Sequence, residues 1–368
     1  MQRSHEILIS KYERAYWDAV ERGEFSRARV LAIKCAGLFR ELASLNLEFS
    51  DYYLEMAKQW EKRAGELENG HRYSQRKSVN LPNVVQTSRV AWDDVGGLWE
   101  AKKVLSRTIG LHLARVPGKF EPWKGILLFG PPGTGKSLLA SAVAGSLGAT
   151  FLNVKVSDVL SKYFGESSKL VASIYHLARE KSPSIVFIDE FDALAMKRSS
   201  LEDAARRVLS TFLVEIDGFK RSDTNERVVT LAATNRPWDL DDAILSRFPL
   251  RVYVPLPDES SAVEILRIHL SGFRVKANLR AVAKEAVRRR YSGRDLANLA
   301  RLAITKMLSD MNPELSEPQL IPSLVGKELT VRPIEMEDFR YGLRRIKSPI
   351  TPALIKKYEM WAREYGSY

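Results

Sequence analysis

Gly130-Pro131-Pro132-Gly133-Thr134-Gly135-Lys136-Ser137 is the stretch on which the reading of this chain turns. It fits the pattern G-x-x-x-x-G-K-[ST], with the apolar run Ile126-Leu127-Leu128-Phe129 before it and the helical run Leu138–Leu147 after it. A strand that enters a glycine-rich turn and opens a helix lets main-chain N–H groups curl round phosphate at a helix N-terminus, where partial positive charge gathers. In such a loop Lys136 neutralises the β- and γ-phosphates and Ser137 ligates magnesium. The full match in that setting sets aside a plain Gly-Pro turn.

Working outward, Ile185-Val186-Phe187-Ile188-Asp189-Glu190 is a second apolar run, and it ends in two carboxylates. Such a pair at the end of a buried strand is costly unless it faces a site. Asp189 is placed to hold the magnesium through water, and Glu190 to act as general base on the attacking water. Thr234-Asn235 closes a third run, Val228–Ala233, and Asn235 is a neutral group able to orient water or touch the γ-phosphate. Read alone, Asn235 is an ordinary turn residue before Arg236-Pro237.

Five runs, Gly125–Phe129, Phe151–Val156, Ile185–Ile188, Val228–Ala233 and Arg251–Val254, read as strands separated mostly by helical stretches. This predicts a parallel sheet covered on both faces. After Asp258 the pattern is helical, near 260–271, 279–290, 293–310 and 335–345, with a last amphipathic helix over Pro352–Tyr365. Before residue 71, three amphipathic stripes follow the helical repeat: Leu8, Tyr12, Ala15, Tyr16 and Ala19; Ala28, Leu31, Ala32, Cys35, Phe39 and Leu42; Tyr53, Met56, Ala57, Trp60, Ala64 and Leu67. They predict an antiparallel three-helix bundle closed at Gly70. The polar, basic stretch 71–91 reads as a linker.

The chain has 368 residues, 45% apolar and 28% charged, ordinary for globular domains. Its single cysteine, Cys35, excludes an internal disulfide and a cysteine-cluster metal site, and its helical position predicts a packed thiol. The net charge of +12 resolves by segment into −1 for residues 1–70, +4 for 71–91 and +9 for the remainder. No basic block is interleaved with aromatics, so the excess is expected to face nucleotide phosphate or an acidic partner, and nucleic acid is not expected as a partner. The start, Met1-Gln2-Arg3-Ser4-His5-Glu6, lacks the apolar core of a signal peptide, and a cytoplasmic protein is expected.

With these elements assembled, the chain from about Trp92 onward resembles the AAA family of ATPases. Trp92-Asp93-Asp94-Val95-Gly96-Gly97-Leu98 is similar to the family's opening segment, Asp217-Gly218-Phe219 and Leu231–Pro237 to its later block, and Tyr291-Ser292-Gly293-Arg294-Asp295 to the place where its helical lid reaches nucleotide. The resemblance implies an α/β AAA core with a parallel five-stranded sheet (92–257), a small helical lid (258–345) and a C-terminal helix (346–368), preceded by the all-α bundle (1–70) and linker (71–91). The implied cofactors are ATP and Mg2+. The implied nucleotide-binding set is Asp94, Gly96, Pro132, Gly133, Thr134, Gly135, Lys136, Ser137, Leu138, Asp189 and Gly293, with Ser137 and Asp189 at the metal. Glu190, Lys136, Asn235 and Arg247 are the catalytic set.

The resemblance further implies a hexamer when ATP is bound, a monomer or dimer without it, and arginine fingers supplied by the neighbouring protomer. Ser246-Arg247-Phe248 stands where close relatives carry two adjacent arginines, so Arg247 matches the second finger and Ser246 departs from the first. Either one arginine suffices or Arg251 or Arg236 assists. Ser161-Lys162-Tyr163-Phe164-Gly165-Glu166-Ser167 resembles the first pore loop, whose Lys162, Tyr163 and Phe164 would grip substrate, and the basic Lys197–Ala204 is a candidate second loop.

The bundle, with Ala32–Leu45 and Glu61–Leu67, is similar to the microtubule-interacting-and-trafficking (MIT) domain, and Lys356–Gly366 to the end helix of the meiotic clade. The compact linker, and the little room after residue 310 for a β-strand insertion, make the chain look most like the archaeal cell-division ATPase of the ESCRT-III system. The expected function is thus disassembly of ESCRT-III-type polymers in cell division or membrane remodelling, with the polymer bound through residues 1–70 and the pore and the membrane met only indirectly. Recruitment to membrane-associated polymers or the division site follows from that reading. A microtubule-severing ATPase of the katanin or spastin kind, and a scaffold that binds ATP without hydrolysing it, stand as alternatives.

Overall fold

The computed structural model describes residues 2–21, 24–45, 50–68, 85–86, 88, 90–113, 122–162, 167–194, 202–217, 227–317, 319 and 324–367. The chain divides into two compact units, Met1–Leu81 and Pro82–Tyr368.

The first unit is three helices, α1 (Gln2–Glu21), α2 (Phe25–Leu45) and α3 (Ser50–Glu68), with α2 packed against both others. Ala28, Ala32 and Ala36 on α2 and Ala57 and Ala64 on α3 are buried, small side chains that allow close helix approach. Tyr16 and Trp60 fill the space beside them, edge to face at 5.0 Å. Cys35 lies in this core, and burial pushes its thiol up to about 12, so it carries no reactive thiolate near neutral pH. The α1 stripe differs from expectation at one place. Ile9, not Leu8, is buried, because Ile9 stands two turns before Tyr16 on the same face. Gly70 and most of 71–91 lie outside the described residues.

In the second unit the chain runs β1 (Val85–Gln86), α4 (Trp99–Leu113), β2 (Gly125–Phe129), α5 (Lys136–Leu147), β3 (Thr150–Lys155), α6 (Val156–Lys162), α7 (Ser167–Glu180), β4 (Ser184–Asp189), α8 (Glu202–Asp217), β5 (Val228–Thr234), α9 (Asp242–Arg247) and β6 (Leu250–Tyr253). The sheet order is β1-β3-β4-β5-β2-β6. Strands β2 to β6 are parallel, and each end lies within one residue of its predicted place. All of β2 and the Ser184–Ile188 stretch of β4 are buried, as a sheet covered on both faces requires.

One expectation needs correction here. The 71–91 stretch is not linker to its end: Val85 and Gln86 form an antiparallel sixth strand against Leu152 and Phe151, and Ser88 donates its hydroxyl to the Ser141 carbonyl at 2.7 Å. A two-residue strand carries no periodicity to read. The five parallel strands stand as expected, with one short antiparallel strand added at the edge.

The carboxyl ends of β4, β5 and β2 are neighbours in the sheet, which sets Asp189, Thr234-Asn235 and the glycine-rich loop side by side. Four helices follow, α10 (Glu259–His269), α11 (Leu279–Arg288), α12 (Gly293–Met311) and α13 (Met336–Arg345), around a core of their own that includes Leu266, Ala286, Leu299 and Phe339. The 311–334 stretch shows one turn of 3-10 helix at Pro313–Ser316 and a parallel bridge from Ile334 to Val275 among its described residues. The final helix, α14 (Pro352–Tyr365), returns to the sheet, where Trp361 meets Phe129 edge-on at 4.5 Å.

Candidate active site

The phosphate loop is shaped by glycines that tolerate no side chain. Gly130 has φ 152°, and a Cβ there would stand 2.2 Å from the Val254 carbonyl oxygen; Gly133 has φ 79°, and a Cβ there would stand 2.7 Å from Ser292 Oγ. Thr134 donates its hydroxyl to Pro131 O at 2.9 Å, and Lys136 begins α5 directly after the left-handed Gly135. Lys136 is buried, and its ammonium donates to the Gly130 and Pro131 carbonyls, both at 2.9 Å. Among the described residues no carboxylate is ion-paired with it. Burial lowers its pKa to about 8, against the pull of Asp189 and Asp192. A buried cation held only by carbonyls suits an incoming anion.

The magnesium expectation can be tested on the donors present. Ser137 Oγ donates to Asp189 Oδ2 at 2.7 Å, so two hard oxygens meet where α5 begins and β4 ends. No group of three or more His, Cys, Asp or Glu side chains that could hold a metal gathers among the described residues. Ser137 as ligand and Asp189 through a bound water fit an ion that takes its remaining ligands from phosphate oxygens and water. Glu190, next in the chain, is exposed and has φ 56°, a left-handed conformation rare for a glutamate. Its N–H donates to Asp189 Oδ1 at 2.9 Å, and its residue lines the cavity.

Asp192, which sequence reading missed, organises the third strand end. Its Oδ1 accepts from Thr234 Oγ1 at 3.0 Å and from the Asn235 N–H at 3.3 Å. From the other side the Tyr358 hydroxyl of α14 donates to the Asn235 carbonyl. The main chain of Asn235 is therefore pinned from both sides, with the residue at the cavity wall.

The cavity measures about 470 Å³. It receives Asp94, Gly96, Pro132, Gly133, Thr134, Gly135, Lys136, Ser137, Leu138, Asp189, Glu190, Asn235 and Gly293, all anticipated from sequence. Asp94 spends one carboxylate oxygen on the Ala91 N–H at 2.8 Å, holding its own turn. Beyond the polar end, Val95, Leu98, Ile265, Ile268, His269 and Ala297 line the far wall, with Arg294 beside Gly293. Of these, Ile265, Ile268, His269 and Ala297 went unread. The first three fall on one helical face of α10, a pattern that every amphipathic helix shows. Arg294 donates its N–H to Gly133 O at 3.0 Å, joining lid to phosphate loop.

Arg247 does not line this cavity. It ends α9, where Nε donates to Asp217 Oδ2 at 3.0 Å and Nη1 to Ser246 Oγ at 2.7 Å, so the serine supports the arginine beside it. Arg251 is corrected as an assisting finger: its guanidinium is taken up by the carbonyls of Phe248, Leu245 and Tyr365. Arg236 remains exposed, 3.9 Å from Asp239. Lys162 ends α6; its side chain, with Tyr163, Phe164 and most of 197–204, lies outside the described residues.

Residues 126–256 match the family described as ATPase family associated with various cellular activities (AAA). The chain is 38% identical to the A-like 1 form of the katanin p60 ATPase-containing protein of Danio rerio, over 77% of this chain and 60% of that protein. It is 41% identical to spastin of Drosophila willistoni, over 76% and 36%. Among solved structures, the crystal structure of the FIGL-1 AAA domain in complex with ADP superposes with a TM-score of 0.66 at 32% identity, covering 78% of this chain and 94% of that one. The structure that describes the basis of katanin self-assembly gives 0.62 at 30% identity, covering 77% and 95%. The chain thus spans three-fifths or less of these curated relatives.

Proposed function

We propose that this chain, which belongs to the AAA ATPase family and within it to the meiotic clade of katanin, spastin and FIGL-1, is the motor of a microtubule-severing ring. It is an ATPase that works with ATP and Mg2+. The observation that carries the severing reading is the extent of likeness to katanin, 38% identity over 77% of the chain, joined to a complete phosphate site. ESCRT-III disassembly, the first expectation from sequence, ranks behind it, because the likeness runs to katanin and spastin.

In this reading Lys136 meets the β- and γ-phosphates and exchanges its loop carbonyls for them. Mg2+, when bound, would be held by Ser137 and, through water, by Asp189, and would shield the charge on the transferring phosphoryl group. Glu190 takes a proton from the attacking water at its carboxylate, and Asn235 orients that water. Copies of the chain assemble as the hexamer that the family resemblance implies, and the likeness to a structure on katanin self-assembly supports assembly as such. Arg247 then leaves Asp217 and reaches the nucleotide of the neighbouring copy. Lys162, Tyr163 and Phe164 grip a polymer tail, and the MIT-like bundle of residues 1–70 recruits it.

The test is severing of fluorescent, stabilised microtubules by the full chain with ATP, beside ESCRT-III-like filaments in a pelleting assay. Shortened microtubules that need Glu190 and Tyr163 are expected. Intact microtubules with dissolved ESCRT-III-like filaments would return the assignment to the other polymer. ATP turnover absent from wild-type protein would remove the motor reading altogether.

A further inference from the structure

The phosphate loop fixes one end of the cavity, so the nucleotide base lies at the other, against Val95, Gly96, Leu98 and Ile265. The main chain there is held by two side chains that belong to other elements. Lys102 of α4 donates its ammonium to the carbonyls of Val95 and, at 3.2 Å, of Trp92. It also lies 4.7 Å from the centre of the Trp99 ring. Glu264 of the lid helix α10 accepts the Gly97 N–H at 2.8 Å. The seat between them is tight: a Cβ on Gly96 would come within 2.8 Å of the Ile265 nitrogen, and one on Gly97 within 2.1 Å of Ser261 Oγ. Gly97 and Leu98 both take left-handed φ, 66° and 56°.

The consequence is visible in what is left over. Val95 spends its carbonyl on Lys102 and its N–H on Trp92 O, and Gly97 spends its N–H on Glu264. Among the described residues no hydrogen bond uses the N–H or the carbonyl of Gly96, which lines the cavity. An N–H and a carbonyl on one residue match the acceptor N1 and donor N6 on the edge of adenine. Guanine presents the opposite order there, a donor at N1 and an acceptor at O6, and a mismatch leaves buried groups unpaired.

We propose that Lys102 and Glu264 are positioning residues for base selection: together they fix the segment so that Gly96 alone offers its main-chain pair to adenine. Because Glu264 sits on the lid, base recognition and lid position are joined through the same bond. This inference rests on nucleotide occupying the cavity as described above.

Calorimetric titration of the full chain with ADP and with GDP tests it. For Lys102→Met and for Glu264→Ala, ADP binding is expected to weaken about tenfold and GDP binding far less, which narrows the preference for adenine. Lys102→Arg restores a donor and Glu264→Gln an acceptor, and both are expected to recover most of the preference. Equal weakening for the two nucleotides, or ADP binding unchanged, overturns the proposal. Thermal melts are recorded alongside; should Lys102→Met fail to fold, the half-exposed Glu264→Ala carries the same comparison. Wild-type protein that binds neither nucleotide would instead remove the premise about the cavity.

Discussion

At the loop end of the cavity Lys136 is buried with only carbonyls for company, and Ser137, Asp189, Glu190 and Asn235 line the same end. At the base end the wall is largely apolar, with His269 beside Ile265 and Ile268, and main-chain atoms of Gly96 face the site, kept in place by Lys102 and Glu264 behind them. One end therefore holds charge in a desolvated state ready for an anion. The other presents a neutral edge whose worth depends on how rigidly it is placed. Removing a side chain from the first should abolish function, whereas removing one behind the second should shift a preference.

The sharpest test of that contrast is Lys136→Ala. It removes the only buried cation described at the loop, and we expect nucleotide affinity to fall by at least about a hundredfold in calorimetry, since hydrogen bonds to charged groups contribute about 1.5–3 kcal/mol each. Retained binding would mean that the loop amides alone suffice. Glu190→Gln should keep affinity and lower phosphate release by about a hundredfold or more, the span of a general base; normal turnover would dismiss that role.

A gentler probe is pH. Nucleotide phosphate favours the charged lysine, whose pKa in the free protein is lowered to about 8 by burial. Affinity is thus full below pH 8 and should fall about tenfold per pH unit above it, with proton uptake on binding. Calorimetry in buffers of different ionisation heat reads that uptake. For the free protein the sign is opposite: a lowered lysine pKa contributes stability above the unfolded value, 10.5, and that contribution is lost as pH falls through 8. The smallest expected effect is that of Tyr358→Phe. Losing one hydroxyl bond to the Asn235 carbonyl should slow turnover about three- to tenfold while nucleotide affinity holds, measured by steady-state phosphate release beside equilibrium binding.

The same contrast explains what the sequence let one read. Lys136 and Ser137 sit in a local pattern with a strand before and a helix after, and Asp189 closes a run too apolar to be anything but buried strand. Their chemistry is in their names. Gly97 and Glu264 lie 167 positions apart, and the bond between them uses a main-chain N–H that every non-proline residue owns. Asp192 was illegible for a related reason: its task is to hold Thr234 and Asn235, on a neighbouring strand. Arg251 looked available as a second finger because sequence cannot show three carbonyls closing round a guanidinium.

The packing of α14 bears on how the protein is made. Tyr358 holds the main chain of Asn235 at the cavity wall, and Trp361 abuts the strand that leads into the glycine-rich loop. A chain still on the ribosome has its phosphate loop long before it has either aromatic. The seat of Asn235 is therefore completed only once α14 has emerged and docked, so this wall of the cavity is the last part of it to take its final shape.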